Sequence, residues 1–382
     1  MPRPATARRP APVVAGTRCC VSHMLWKEGK IFTSEVVVHS DGYLPTVQAT
    51  WTAKRKPLFF GHNPQTGVFQ LSADPLVDLK LELLATINIG SPVYSVAASP
   101  TEDVFAVGDD AGKISLCSLS NAIIVNKASD IHKGRIWSLD YSPDGSQLAS
   151  GSLDGKIALW NKGVELKEMI GQIDDWVTSL KFSPDGKQII SGHKLSAPQH
   201  PSVRIWSLNK SISVQSYFHH PANVYGVQYL PGGDGFISAG SDSRIGVWSL
   251  ERDELVYLLK RHTGTVSCVV AHPFTSNFVS GGWTGTAKIW NVQSGNIDRT
   301  IEAHSDRVTS LSYGKSGRVL ASGSKDSTIA LWQIPEAILV SRTLPGQGWV
   351  RALAFDNSGS YLISGSTDGY VRIWGILRLD RV

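Results

Sequence analysis

Leu148-Ala-Ser-Gly-Ser-Leu-Asp-Gly-Lys-Ile-Ala-Leu-Trp160 returns as Leu320-Ala-Ser-Gly-Ser-Lys-Asp-Ser-Thr-Ile-Ala-Leu-Trp332 and again as Leu362-Ile-Ser-Gly-Ser-Thr-Asp-Gly-Tyr-Val-Arg-Ile-Trp374. Each copy is a pair of short alternating segments around a Ser/Gly/Asp turn, which is a β-hairpin signal. The closing tryptophan recurs at 160, 206, 248, 290, 332 and 374, with separations of 46 and then four times 42 residues, and Cys117 holds the same place 43 residues before Trp160. Upstream of each hairpin lies another strand and turn, as in Trp137-Ser-Leu-Asp-Tyr-Ser-Pro-Asp-Gly145. A period in the low forties with four strands per period and almost no helical pattern predicts an all-β repeat architecture.

One four-stranded sheet cannot bury both of its faces. Sheets packed radially around an axis bury them against each other and protect most strand edges. The repeated frame resembles the WD-repeat β-propeller family over roughly residues 34–382. That resemblance implies a hydrogen-bonded tetrad in each blade: a His before the first strand, a Ser or Thr on it, an Asp in the hairpin turn and the Trp. Two repeats match it, His132, Ser138, Asp154 and Trp160, then His304, Ser310, Asp326 and Trp332. Others depart from it. His220, Asp242 and Trp248 have Gly226 at the Ser position, and His262 and Trp290 have Cys268 and Thr284. The chain contains no Trp-Asp dipeptide.

Blade number follows from the interval between a first-strand Val or Ile and the tryptophan. It is 24 residues for Val93–Cys117, Ile136–Trp160, Val224–Trp248, Val266–Trp290, Val308–Trp332 and Val350–Trp374, and 29 for Val177–Trp206. Val47–Ser72 gives 25 and reads as a weak eighth copy. Too few residues follow Trp374 to complete its sheet, so the last blade must borrow its outer strand from the N-terminal side. The expectation is a closed eight-bladed propeller over 34–382, with Ser34–Ser40 as the borrowed strand. Seven blades clasped by Leu79–Ile87 is the alternative.

Residues 1–27 carry Arg3, Arg8, Arg9, Arg18 and Lys27 and no acid, which accounts for the whole formal charge of +5. The rest is near neutral, so the propeller lacks the large basic field that nucleic acid requires. Residues 1–33 read as a disordered basic Pro/Ala-rich tail, with an organellar targeting peptide as the alternative. A cytoplasmic location is expected, without a membrane span. Cys19, Cys20, Cys117 and Cys268 do not form a disulfide framework.

No catalytic constellation emerges. The Ser-Gly-Ser segments enter a hairpin, which is not the strand-to-helix geometry of a nucleophile elbow. His193, His200, His219 and His220 lack metal-ligand spacing, and no phosphate-cradling loop is present. The expectation is a non-enzymatic protein–protein interaction scaffold that needs no cofactor or metal. The rivals are a propeller hydrolase and a phosphoinositide or nucleic-acid binding module.

The resemblance also implies which positions reach the partner-binding face: those flanking the first-strand Val or Ile, and the residue before the turn Asp. They hold Trp137, Trp176, Trp283, Trp349, Tyr94, Tyr225, Arg135, Arg307 and Arg351. Aromatic and Arg enrichment is the composition of binding hot spots. The three arginines favour a partner carrying Asp, Glu or phosphate beside an apolar anchor. The two-proline insertion within Lys194–Ser202 reads as a loop on the same face.

Overall fold

The computed structural model describes residues 79–378 except 210, 211 and 219, together with the backbone of five short strands before them. Two compact units divide the chain, 1–77 and 78–382. In the first unit, Cys20–Lys27 pairs with Lys30–Val37, which pairs with Thr52–Lys54, while Phe59–His62 pairs with Phe69–Ser72. The expected disordered tail lies outside the described residues over 1–19, and the first of these strand pairs runs across residue 33.

The second unit is a β-propeller. Among the described residues it contains seven four-stranded antiparallel blades. Blades one to six are consecutive, each built as its tryptophan or Cys117 frame predicts. Blade two, for example, orders Ile136–Tyr141, Gln147–Ser152, Lys156–Asn161 and Leu166–Gln172. Blade seven orders Val350–Phe355, Tyr361–Ser366, Tyr370–Arg378 and then Leu79–Asn88.

The expected eighth blade is therefore corrected. Val47–Ser72 supplies no four-stranded sheet, because Thr52–Lys54 and Phe69–Ser72 pair in different places. The borrowed strand is corrected with it. Glu35 and Val36 pair with Ser22 and Val21, whereas Leu83 and Ala85 pair with Trp374 and Ile373. Leu79–Asn88 suits an outer strand because it alternates buried Leu79, Leu81 and Ile87 with exposed neighbours. A borrowed strand adjoining the first blade also needs no long connection.

The core lies between blades. Ala106, Ile114 and Leu116 of blade one pack with Ile136, Leu148 and Trp160 of blade two, and equivalent clusters lie between successive blades from two to six and between seven and one. Glycine in the repeated Ser-Gly-Ser segment permits the approach. A Cβ on Gly151 would stand 2.5 Å from Val177 Cγ1 of the next blade, and one on Gly365 would stand 2.4 Å from Val93 Cγ1. The second pair joins blade seven to blade one, whose first strands pack side by side.

Each third-strand tryptophan is fixed by a second-strand serine, ten residues earlier in five blades and fifteen earlier for Trp206. Trp160 Nε1 donates to Ser150 Oγ at 2.8 Å, Ser150 lies 2.7 Å from His132 Nε2, and His132 Nδ1 faces Asp154 at 3.3 Å. Ser322 does the same between Trp332 and His304, beside Asp326. The serines of the tetrads are thus Ser150 and Ser322, and the expected Ser138 and Ser310 are corrected. Those two project instead toward the next blade, where they accept the Leu180 and Leu353 backbone N–H groups at 3.0 Å. Gly226 is no defect, since Ser238 links His220 and Trp248 at 2.8 and 2.9 Å.

Blade three solves the same problem with a residue from another strand. It has no histidine before its first strand, and Ser191 joins Trp206 to His193 Nε2 at 2.7 and 2.9 Å. Position 193 corresponds to Gly240 and Gly282 of the next two blades. A Cβ there would meet His220 Nδ1 at 2.7 Å and His262 Nδ1 at 2.8 Å. His193 therefore enters the space its neighbours fill from the preceding loop.

Candidate functional site

Every first-to-second strand pairing slips by one residue immediately after the first-strand Val or Ile. A β-bulge at that point leaves the extra residue unpaired and re-aims its side chain. The seven bulged residues are Tyr94, Trp137, Thr178, Tyr225, Ser267, Thr309 and Arg351, and all line one cavity of about 340 Å³. The hydroxyls of Thr178, Ser267 and Thr309 lie between a carbonyl of their own blade and one of the next, those of Val224, Val308 and Val350. Three bulges thus lock blades together, and the four larger residues furnish the mouth.

A second set of residues is held above them. The backbone N–H before the turn Asp bonds to the carbonyl preceding the first-strand Val or Ile: Leu153 to Arg135 at 2.9 Å, Trp283 to Thr265 at 2.9 Å, Lys325 to Arg307 and Thr367 to Trp349 at 3.0 Å. Bonds of this kind tie the two loops in six of the seven blades, all but blade three, and fix where Arg135, Trp283, Arg307 and Trp349 stand. Of the nine expected face residues, eight line the cavity. Trp176 does not. It begins the first strand of blade three, half-exposed, with Lys194 Nζ 3.6 Å from its ring centroid.

The aromatic rings carry the protein's own cations. The Arg135 guanidinium lies 3.8 Å from the Tyr94 centroid, and the Arg307 guanidinium 3.7 Å from that of Trp283. Arg351 stands centrally, 5.0 Å from Tyr94, 5.2 Å from Trp137 and 5.8 Å from Trp349. Lys325 covers Trp349 at 4.9 Å. Sequence reading places the aromatics and arginines but misses Lys194 and Lys325 as ring partners: Lys194 lies opposite Trp176 on the second strand of blade three, and Lys325 reaches Trp349 from the preceding blade.

The cations differ in how they are balanced. Arg135 Nε meets Asp110 Oδ1 at 2.5 Å, Lys181 meets Asp140 at 2.6 Å, and Lys325 meets Asp306 at 3.2 Å. Among the described residues no carboxylate pairs with Arg307 or Arg351. Arg351 Nε is buried without a hydrogen-bond partner. Burial, and then the nearby Arg135 and Arg307, holds the Arg351 pKa below the ordinary arginine value. Arginine keeps its proton through such a shift.

The other reactive groups are subdued. Burial pushes the thiols of Cys117 and Cys268 up to about 12, which leaves neither as a nucleophile. Asp175, fully buried, bonds His200 Nδ1 at 2.8 Å and the Ser196 N–H at 2.7 Å, so this group anchors the Lys194–Ser202 insertion. Ser196 and Asp175 share the same nitrogen of His200, which is not a relay from base to nucleophile. Among the described residues no three His, Cys, Asp or Glu side chains converge as a metal site, and no helix is long and apolar enough to cross a membrane.

Residues 128–161, 163–207, 211–249, 253–291, 295–333 and 339–375 match the family described as WD domain, G-beta repeat. Each match holds the first three strands of one of blades two to seven, preceded from the second match on by outer-strand residues of the blade before. Blade one, with Val107 and Cys117 in place of serine and tryptophan, precedes the first match. Individual relatives are shorter matches. Actin-interacting protein 1-2 of Arabidopsis thaliana is 30% identical over 93 residues, 23% of this chain and 15% of that protein. U3 small nucleolar RNA-associated protein 4 homolog of Homo sapiens is 36% identical over 66 residues, 17% of this chain and 10% of its own length. U3 small nucleolar RNA-associated protein 12 of Saccharomyces cerevisiae is 34% identical over 59 residues, 15% of this chain and 6% of its own. The matched stretch is a small part of each relative.

Proposed function

Because the chain belongs to the WD-repeat β-propeller family, we propose that it is a non-enzymatic scaffold that docks a peptide or loop of a partner protein at the mouth of its channel. One observation carries this reading. Seven bulges and a ring of tethered loops bring three tryptophans, two tyrosines and three arginines to a single cavity. Such side chains bury much surface at low entropic cost and keep polar handles, as hot spots do. The fold alone would not support it, since propellers serve many purposes.

The relatives' names fit membership in assemblies, one carrying actin and two a small nucleolar RNA. We place this chain in a multi-subunit complex with protein partners and without direct contact to nucleic acid. Its location belongs to the same reading as cytoplasmic, and fractionation of the tagged chain decides between cytoplasm and nucleolus.

The test is affinity capture from native cells with mass spectrometry, followed by binding of the purified partner. Trp137→Ala/Trp349→Ala should abolish capture while the circular dichroism spectrum and melting temperature hold. A variant altered at the Pro143–Gly145 and Pro184–Gly186 turns, across the propeller, should capture normally. The reverse pattern would place the partner on the other face.

A further inference from the structure

We propose that the channel mouth selects a doubly anionic side-chain group, a phosphorylated residue or two adjacent carboxylates, held between Arg307 and Arg351. The proposal rests on the reading of this face as the docking site and adds what the docked segment must carry.

The cations at the mouth differ in whether a carboxylate already neutralises them. Arg135, Lys181 and Lys325 each have a carboxylate of their own within ion-pair distance. Arg307 and Arg351 have none, so the lining retains two guanidiniums outside any ion pair, with Asp306 near Arg307 already engaged by Lys325 and by the Arg307 backbone N–H. Charge of one sign in a recess with low-dielectric walls is felt more strongly than on an open surface. A phosphate monoester carries about −1.5 to −2 near neutral pH and three acceptor oxygens, which matches that residue of charge.

The aromatic groups point the same way. In many proteins a ring of Trp and Tyr recognises a cation. Here the faces of Tyr94, Trp137, Trp283 and Trp349 are already attended by guanidinium or ammonium groups of the protein. A second cation would meet like charge instead of free π surface. The rings act as cushions that set the direction of the guanidiniums, and the buried Nε of Arg351 is a donor awaiting an acceptor. Planar guanidinium forks suit phosphate or carboxylate oxygens.

Asp110 gives the proposal a control within the same site. Its carboxylate withdraws Arg135 from the pool of free charge. Asp110→Asn should return that charge and strengthen anion capture, whereas a role confined to holding the rim would weaken it.

The experiment uses the full chain and four immobilised short-peptide libraries, identical except for a fixed central Ser, phosphoserine, Glu-Glu or trimethyllysine, with randomised flanks. The expected result is capture by phosphoserine and Glu-Glu on the order of tenfold above Ser, the scale of one charge-assisted contact. Trimethyllysine should fall below Ser. Arg351→Gln or Arg307→Gln should erase the preference, and Arg351→Lys should restore part of it, which separates charge from misfolding. Phosphoserine ahead of Glu-Glu identifies a phosphate source, and the opposite order an acidic segment; both uphold a dianion. Equal capture of all four libraries that is lost in Trp137→Ala/Trp349→Ala overturns the anion and keeps the docking face. Capture indifferent to both sets of variants overturns the two readings together.

Discussion

The Ser150 hydroxyl accepts the Trp160 indole N–H at 2.8 Å, and through it the outermost buried ring of blade two is tied to the loop before the blade. His132 is the intermediary, 2.7 Å from Ser150 on one side and 3.3 Å from Asp154 on the other. With Nδ1–H given to the carboxylate, Nε2 accepts from the serine, and every polar atom of the chain is used.

Ser150→Ala strands a buried indole N–H and a buried imidazole nitrogen, so it should destabilise by about 1–3 kcal/mol. Asp154→Ala and Asp326→Ala should lie in the same range. Asp174→Ala, in an exposed loop, should stay within about 0.5 kcal/mol. Urea unfolding of the four variants checks this, and equal shifts in all four would discredit the relay.

The serine of that relay was legible. It stands ten residues before Trp160, Trp248, Trp290, Trp332 and Trp374, and fifteen before Trp206, where the five-residue insertion intervenes. Assigning it to the first strand overlooked the constancy of that interval. The bulges were not legible, because nothing in Ile136-Trp-Ser138 distinguishes a slipped register from a regular one. The eighth blade was a false echo: Val47–Ser72 reproduces a spacing, but its strands Thr52–Lys54 and Phe69–Ser72 pair in two different sheets. The rim aromatics were readable because the family resemblance names one set of positions in every repeat, whereas the contact of Lys325 with Trp349 crosses a blade boundary and that of Lys194 with Trp176 depends on strand register.

Stability should decline on acidification before the carboxylates titrate. Burial lowers the pKa of His193 to about 3 and those of His262 and His304 to about 4. All three are neutral when folded and take up a proton near pH 6.5 when unfolded. Their contribution is complete above about pH 6.5 and is lost as pH falls toward their folded values. Each adds a slope of up to about 1.4 kcal/mol per pH unit there. Asp326, raised by burial but lowered more by its Thr328, His304 and Ser305 contacts to about 2, extends the loss below pH 3.8. Urea midpoints measured between pH 7.5 and 4.5 should fall steadily, and His262→Gln should flatten the curve.

His193→Ala empties a space that the neighbouring blades fill from the loop before their first strand and removes a partner of Ser191. A loss of about 2–4 kcal/mol is expected from the cavity and the missing bond together. Differential scanning calorimetry should show the drop, and an unchanged melting temperature would mean that blade three does not use His193 as a substitute.

Thr309→Val keeps the shape of the bulge and deletes the hydroxyl between Gly323 and Val350 carbonyls. About 1 kcal/mol should be lost, and hydrogen exchange should rise at the junction of blades six and seven ahead of the outer strands. Uniform exchange would argue that the hydroxyl is not a latch.

The pairing of Leu79–Asn88 with Tyr370–Arg378 has a mechanical meaning. Leu79 lies opposite Arg378 and Asn88 opposite Tyr370, so the chain enters and leaves this seam at the same end. Tension between a tether on the segment before Leu79 and one after Arg378 would load the hydrogen bonds one at a time, in the manner of a zip fastener. The strand pair that closes the propeller is therefore one that load along the chain opens from its end.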